Sequence, residues 1–222
     1  MLETKKNPLL TPETNPAADI AHLRSPTTIR RPLVDRKRQL KDARRAEAAT
    51  EALGTLDRTS SVFGYSKGQF SFIDLMKATL EQTGPADLAV STWTASGTGV
   101  QTVLDLCESG LVRSSRWLVD FSFAKRSPAL AHALRERFGD DCIRVCPNHA
   151  KFALIGNDAW KVVIRTSMNL NENPRFENFE VGHDPDLYDF HKTFLDELWQ
   201  KQRRADADMR PYDIIRQFRT SL

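Results

Sequence analysis

Residues 147 to 181 read PNHAKFALIGNDAWKVVIRTSMNLNENPRFENFEV. Two apolar stretches, CIRVCPNHAKFALI (142–155) and WKVVIRTSMN (160–169), flank a Gly-Asn-Asp turn. That arrangement predicts two antiparallel strands joined by a tight hairpin with Gly156 and Asn157 in its turn. NFEV (178–181) predicts a further strand. Residues i and i+2 of a strand share a face. His149 with Lys151, Ser167 with Asn169, and Asn178 with Glu180 are therefore expected to project as three pairs.

These residue types suit a phosphate. Lysine, serine and asparagine can hold non-bridging oxygens and stabilise the charge that grows on them. An imidazole can attack phosphorus or pass a proton, and a carboxylate can fix its tautomer. Taken singly, each residue has a plainer use, as a turn residue, a cap or one half of an ion pair. Their order and common spacing are what carry the reading.

Working outward, Phe72, Leu75, Met76 and Leu80 recur at helical spacing before Gly84-Pro85. DLAVSTWT (87–94) reads as a strand. Thr98 and Gln101 form a capping-box pair ahead of a helix faced by Val100, Val103, Leu104 and Cys107. RWLVDFSF (116–123) alternates as a strand, and Ser127-Pro128 opens a helix that closes at Gly139. Asp184-Pro185 caps a last helix faced by Leu187, Phe190, Phe194 and Leu198. The β-α-β-α order predicts an α/β domain with a mixed sheet flanked by helices, over residues 61–200.

Residues 1–60 read as a basic, partly disordered arm with one weakly anchored helix over 35–53, and 201–222 as a charged tail with a short helix after Pro211. From Arg24 to Arg45 nine Lys/Arg face two Asp, within a chain of 222 residues whose net charge is only +3. Arg36, Lys37, Arg38, Lys41, Arg44 and Arg45 are candidate contacts to a polyanion, with Asn178 nearer the site. The three cysteines, Cys107, Cys142 and Cys146, are odd in number and fit a reducing compartment. Neither a leader peptide nor a membrane-length apolar run is present, so the expectation is cytoplasmic, with no membrane partner. Cys142, Cys146 and His149 do not follow a usual zinc spacing and lack a fourth ligand, so no metal or cofactor is expected.

His149-Ala-Lys151, Ser167-Met-Asn169 and Asn178-Phe-Glu180 together resemble the active-site motif of the phospholipase D superfamily, H-x-K-x4-D-x6-G-S-x-N followed by N-x-E. Gly156 stands where that motif has Asp, Thr166 where it has Gly, and the gap from histidine to asparagine is three residues longer. The resemblance implies one half of that fold and a metal-independent phosphodiesterase. In such an enzyme His149 is the nucleophile, Lys151 and Asn169 hold phosphate oxygens, Ser167 assists, and Glu180 orients the imidazole. In-line displacement also needs an acid on the leaving side, and the chain carries a single H-x-K. A homodimer with two His149 facing across a two-fold axis supplies it, as in the small single-motif nucleases that the chain resembles. The basic arm favours nucleic acid, DNA above RNA, over a phospholipid. The other readings are a nucleic-acid-binding protein with weakened turnover and a phospholipid-modifying enzyme.

Overall fold

The computed structural model describes residues 37–41, 48–95, 98–171 and 174–202. A strand β1 (Lys37–Lys41) and a short helix α1 (Ala49–Leu53) precede β2 (Ser60–Ser66) and α2 (Phe72–Thr83). Then come β3 (Ala86–Thr92), α3 (Thr98–Glu108), β4 (Val112–Asp120), α4 (Phe123–Arg126), α5 (Pro128–Phe138) and β5 (Ile143–Cys146). Strands β6 (Phe152–Gly156), β7 (Lys161–Thr166) and β8 (Glu177–His183) lead to α6 (Pro185–Lys201). Among the described residues, eight strands join one sheet in the order β1-β2-β8-β7-β6-β3-β4-β5. Pairs β1–β2, β3–β4 and β4–β5 are parallel, and the other four are antiparallel. The fold is mixed α/β.

Side-chain alternation assigns the two faces of the sheet. Val90, Trp117, Val119, Ala153, Ile155, Val162, Ile164, Phe179 and Val181 join the larger core, with residues of α1, α2, α3 and α5. Leu118, Phe152, Leu154 and Val163 pack instead against Leu187, Tyr188, Leu195 and Leu198 of α6. The helices hold their ends by recognisable means. Ser71 and Asp74 exchange both bonds of a capping box at the start of α2. Asp184 Oδ1 accepts from Leu187 N at 3.1 Å to open α6. Gly156 marks a close approach: a Cβ there would lie 2.2 Å from Tyr188 Oη.

Five expectations need correction. Gly156 is the last residue of β6, paired with Lys161, and lies outside the hairpin turn. The single helix over 35–53 is two elements. Lys37–Lys41 is an edge strand parallel to β2, and Ala49, Ala52 and Leu53 of α1 are buried in the core. The basic residues repel one another along a helix face, whereas an edge strand holds each by backbone bonds and lets it reach solvent. The run 142–155 is also two strands, separated by Pro147–Lys151: β5 pairs with β4 at the far edge and β6 lies between β3 and β7. Pro147 offers no ladder N–H, which favours a break there. The strand read over 116–123 starts earlier and stops at Asp120, with Phe123 in α4. Ser127 is not a side-chain cap; its hydroxyl donates to Ala95 O across the loop. The Thr98 side chain, Arg36, Arg44, Arg45 and the expected helix after Pro211 lie outside what is described.

Candidate active site

The strand directions gather one set of chain ends at one pole of the sheet. The C-terminal ends of β2, β3, β4, β5 and β7 meet the N-terminal ends of β6 and β8 there. Open α/β sheets place their ligand sites at such poles, beyond the carboxyl ends of strands. His149, Lys151, Ser167 and Asn169 all lie in the segments that leave or enter the sheet at this pole, not in the strands themselves.

Asn148, buried beside His149, holds the crossing segment in place. Its Nδ2 lies 3.0 Å from Ser91 Oγ, 3.2 Å from Thr92 O and 3.1 Å from Leu118 O. Its Oδ1 accepts from Ala150 N at 3.0 Å. Ser91 Oγ donates to Ala150 O at 2.9 Å. Asp120, also buried, accepts from Asn148 N at 3.4 Å and from Ser122 N at 2.9 Å. His149 itself is exposed, with Lys151 Nζ 2.9 Å from its Nδ1 and 3.1 Å from its Nε2. The ammonium also donates to His149 O at 2.9 Å. Burial pulls the Lys151 ammonium below its ordinary pKa, and Glu177 opposes part of that. The Trp93 ring centroid lies 5.6 Å from the His149 ring, and the Arg126 guanidinium sits 4.6 Å from the Trp93 centroid.

The neighbouring strand end carries the second pair. Thr166 N donates to Lys151 O at 3.2 Å, which sets Ser167 beside the His-Lys segment. Ser167 Oγ is bonded to Glu177 Oε2 and accepts from Asn178 N at 3.0 Å. Thr166 finds a use for its hydroxyl here: Oγ1 donates to Asn178 O at 2.7 Å and accepts from Met168 N at 3.0 Å. Asn169 and Asn171 line a small cleft with Ser66, Ser71 and Glu177, and each leaves a buried Oδ1 without a partner. An unmet buried acceptor costs about 1–3 kcal/mol, which a water or ligand in the cleft would offset.

Glu180 is placed elsewhere. Phe179 and Val181 point into the larger core, so Glu180 projects on the α6 face. There it is bonded to Arg165, to Arg38 at 3.1 Å and to Ser61 Oγ at 3.1 Å. Burial pushes its carboxyl up, but the two guanidiniums and Ser61 outweigh this and hold it below its ordinary value. The carboxylate that the fold brings to Ser167 and Lys151 is Glu177, on the other face. Asn178 is exposed, with its backbone tied to Ser167 and Thr166. Lys37 and Arg38 are exposed on β1, four strands from β6, or about 19 Å across the sheet. Lys41 ends that strand. Gly156 lies at the opposite end of β6 from the His149-Lys151 segment, about 14 Å along the strand, and so is not at this pole.

Sequence reasoning missed Trp93, Asp120, Arg126, Asn148 and Glu177. Asn148 and Asp120 act through contacts distant in the chain, which local spacing does not register. Glu177 could have been found as the carboxylate one residue before Asn178, had the start of β8 been placed correctly.

No family model matches the chain, and no curated protein matches it. Among solved structures, the crystal structure of polyphosphate kinase from Porphyromonas gingivalis is similar to it at 12% sequence identity and a TM-score of 0.45. The match covers 68% of this chain and 27% of that one, so the chain spans about a quarter of the length of the structure it matches. No helix among the described residues is long and apolar enough to cross a membrane.

Proposed function

We propose that this pole performs phosphoryl transfer on a phosphodiester, with His149 as the nucleophile. The observation that carries the reading is the pairing of Thr166 N with Lys151 O, which joins the His149-Lys151 and Ser167-Asn169 segments side by side. A ring nitrogen of His149 attacks phosphorus, and the bond to the leaving oxygen breaks on the far side. A second copy's His149, protonated, gives its proton to that oxygen. The phosphohistidine is then opened by water, whose proton goes to the second imidazole. Lys151 and Asn169 hold the non-bridging phosphate oxygens as charge builds, and Ser167 assists by donating to Glu177 and fixing that carboxylate beside them. Glu180 keeps Arg165 and Arg38 in place and can serve the site only through them.

The substrate in this reading is nucleic acid, DNA before RNA, supported by the exposed cations of β1 and by Arg126 and Lys151 at the pole. The active unit is a homodimer, since one imidazole cannot both attack and protonate. Incubation of the purified protein with plasmid and with oligonucleotides in EDTA tests the proposal, beside a His149→Ala control and light scattering. Cleavage by a dimer, abolished by His149→Ala, is expected. Cleavage that survives His149→Ala, or that comes from a strict monomer, overturns it. Turnover of phospholipid vesicles in place of nucleic acid would move the site to the lipid reading.

A further inference from the structure

Two cation–aromatic pairs flank the His149-Lys151 cluster, and neither takes part in the chemistry above. On the β3 side, Trp93 carries the Arg126 guanidinium over its ring and has His149 beside it. On the β8 side, Lys67 Nζ lies 5.9 Å from the centroid of Phe176, a ring that is 65% exposed. Sheet order turns this into a line. Lys67 follows β2, Phe176 precedes β8, Ser167 follows β7, Lys151 precedes β6 and Trp93 follows β3, in neighbouring order. From β8 to β3 is three strand spacings, about 14 Å. The ~3.4 Å axial rise belongs to a stacked duplex, and an unpaired strand, free to extend beyond it, covers that distance in a few nucleotides.

A single exposed ring is ordinary on a protein surface. Two rings, each with its own cation, placed on either side of a phosphate-suited pair are a different matter. Unpaired bases stack on aromatic faces without regard to sequence, and a row of cations tracks the backbone that joins them. A duplex keeps its base faces inside the stack, and a lipid headgroup has none.

We infer that this pole binds an unpaired single strand of DNA or RNA across Trp93 and Phe176. The bases stack on the two rings, and Lys67, Lys151 and Arg126 hold the phosphates. The inference rests on the phosphodiester reading and names the substrate form that the same site takes. It makes the strand ends, loops and unpaired regions of nucleic acid the preferred targets, and intact duplex the poor one.

Fluorescence anisotropy on the full-length His149→Ala protein tests it, with a labelled short oligo-dT and a duplex of equal length at one fixed salt concentration. The single strand is expected to bind about tenfold tighter or more, and Trp93→Ala and Phe176→Ala are each expected to weaken it by about 5- to 100-fold, the range that loss of one stacked base gives. Binding to the duplex should be unmoved by the two ring changes. Trp93→Phe should retain most of the affinity. Arg58→Ala, at the Arg58–Trp160 pair by the β6–β7 turn, should leave oligo-dT binding as in the parent. Phe176 is exposed, so Phe176→Ala keeps the test decisive if Trp93→Ala fails to fold. Equal affinity for the two nucleic acids overturns the inference, and so do ring variants that bind as the parent does. Anionic phospholipid vesicles that displace oligo-dT more readily than unlabelled oligo-dT does overturn it too. The cleavage assay fails independently: ring-dependent strand binding without cleavage in EDTA sinks the catalytic reading alone, and cleavage without ring dependence sinks this one alone.

Discussion

Asn148 has no place in the chemistry, yet the position of His149 depends on it, and its replacement gives a calculable loss. The side chain bridges β3, β4 and the crossing segment through Thr92 O, Leu118 O, Ser91 Oγ and Ala150 N. Asn148→Ala removes all of these at once and takes a donor away from the Thr92 and Leu118 carbonyls and an acceptor away from Ala150 N. A stranded buried acceptor costs about 1–3 kcal/mol and each lost neutral hydrogen bond about 1 kcal/mol, so a loss of about 2–4 kcal/mol is expected after relaxation. At about 2–4 °C per kcal/mol for a chain of this size, the melting temperature should fall by roughly 5–15 °C. Urea unfolding followed by circular dichroism measures the first quantity and a thermal scan the second.

Asn148→Asp sharpens the test. It keeps the acceptor for Ala150 N but turns the donor into a carboxylate oxygen facing two carbonyls, close to Asp120. A carboxylate among acceptors has its folded pKa raised, so this variant should be most impaired near neutral pH and recover as pH falls. In a cleavage assay Asn148→Ala should slow turnover by about 10²-fold, the effect of displacing a reacting group by about 1 Å. If Asn148→Ala unfolds within about 1 kcal/mol of the parent, or Asn148→Asp matches the parent at neutral pH, the bridge does not hold the segment and the argument fails.

Other expectations follow from separate parts of the fold. Gly156→Ala should destabilise by about 1–3 kcal/mol because its Cβ would meet Tyr188 Oη, and Tyr188→Phe should recover part of that loss in the same urea titration. His191 stacks on Phe152 at 4.3 Å, and burial, with Arg165 adding to it and Asp184 opposing, pulls its imidazole down to about 4 from 6.5. Between those values the unfolded chain binds the proton that the folded one refuses. Stability should therefore be full above about 6.5 and fall as pH drops toward about 4, by at most about 3 kcal/mol; a His191→Gln variant with the same pH slope would refute this. Burial pushes the Cys107 thiol up to about 12 and the Cys142 thiol up to about 11, and raises Cys146 as well. All three should resist thiol reagents in the native protein and react on unfolding, which a native-state labelling count checks directly.

Periodicity exposed most of the helices and the inner strands, because burial on one or two faces writes a strong local pattern. Phe72–Thr83 and Pro185–Lys201 carry both an apolar face and a cap, and both are helices. The sheet order was not legible. Nothing local in Ile143–Cys146 distinguishes a strand at the far edge from the first half of a hairpin arm. The basic stretch misled for a related reason: Lys37–Lys41 is composed of helix formers, yet pairing with β2 overrides propensity. His149, Lys151, Ser167 and Asn169 were named as candidates from their spacing and lie at one pole of the sheet, but the strand parity used to group them applies only to Asn178 and Glu180, which do share a strand and a face. Parity put Glu180 beside the imidazole, whereas the fold turns that face toward α6.

The length of one connection places His149 and Lys151, and the pairing of β6 with β7 brings Ser167 and Asn169 beside them. The chain leaves β5 at the sheet edge and must enter β6 beyond both β4 and β3, three strand spacings or about 14 Å away. Five residues, 147–151, make that crossing, and at ~3.3–3.6 Å per residue their full reach is about 20 Å counted from Cys146 to Phe152. There is room for an extended path and little for a loop. The segment therefore has to lie flat over the ends of β4 and β3, where Asn148 finds Leu118 O and Thr92 O beneath it. His149, next in line, has its side chain lifted away from the sheet, next to the Trp93 that has just left β3. Lys151 then enters β6 opposite the end of β7 and meets Thr166. An insertion between Cys146 and Asn148 would give the crossing slack and loosen this placement without altering any residue of the site. A deletion there would pull β6 out of register with β3.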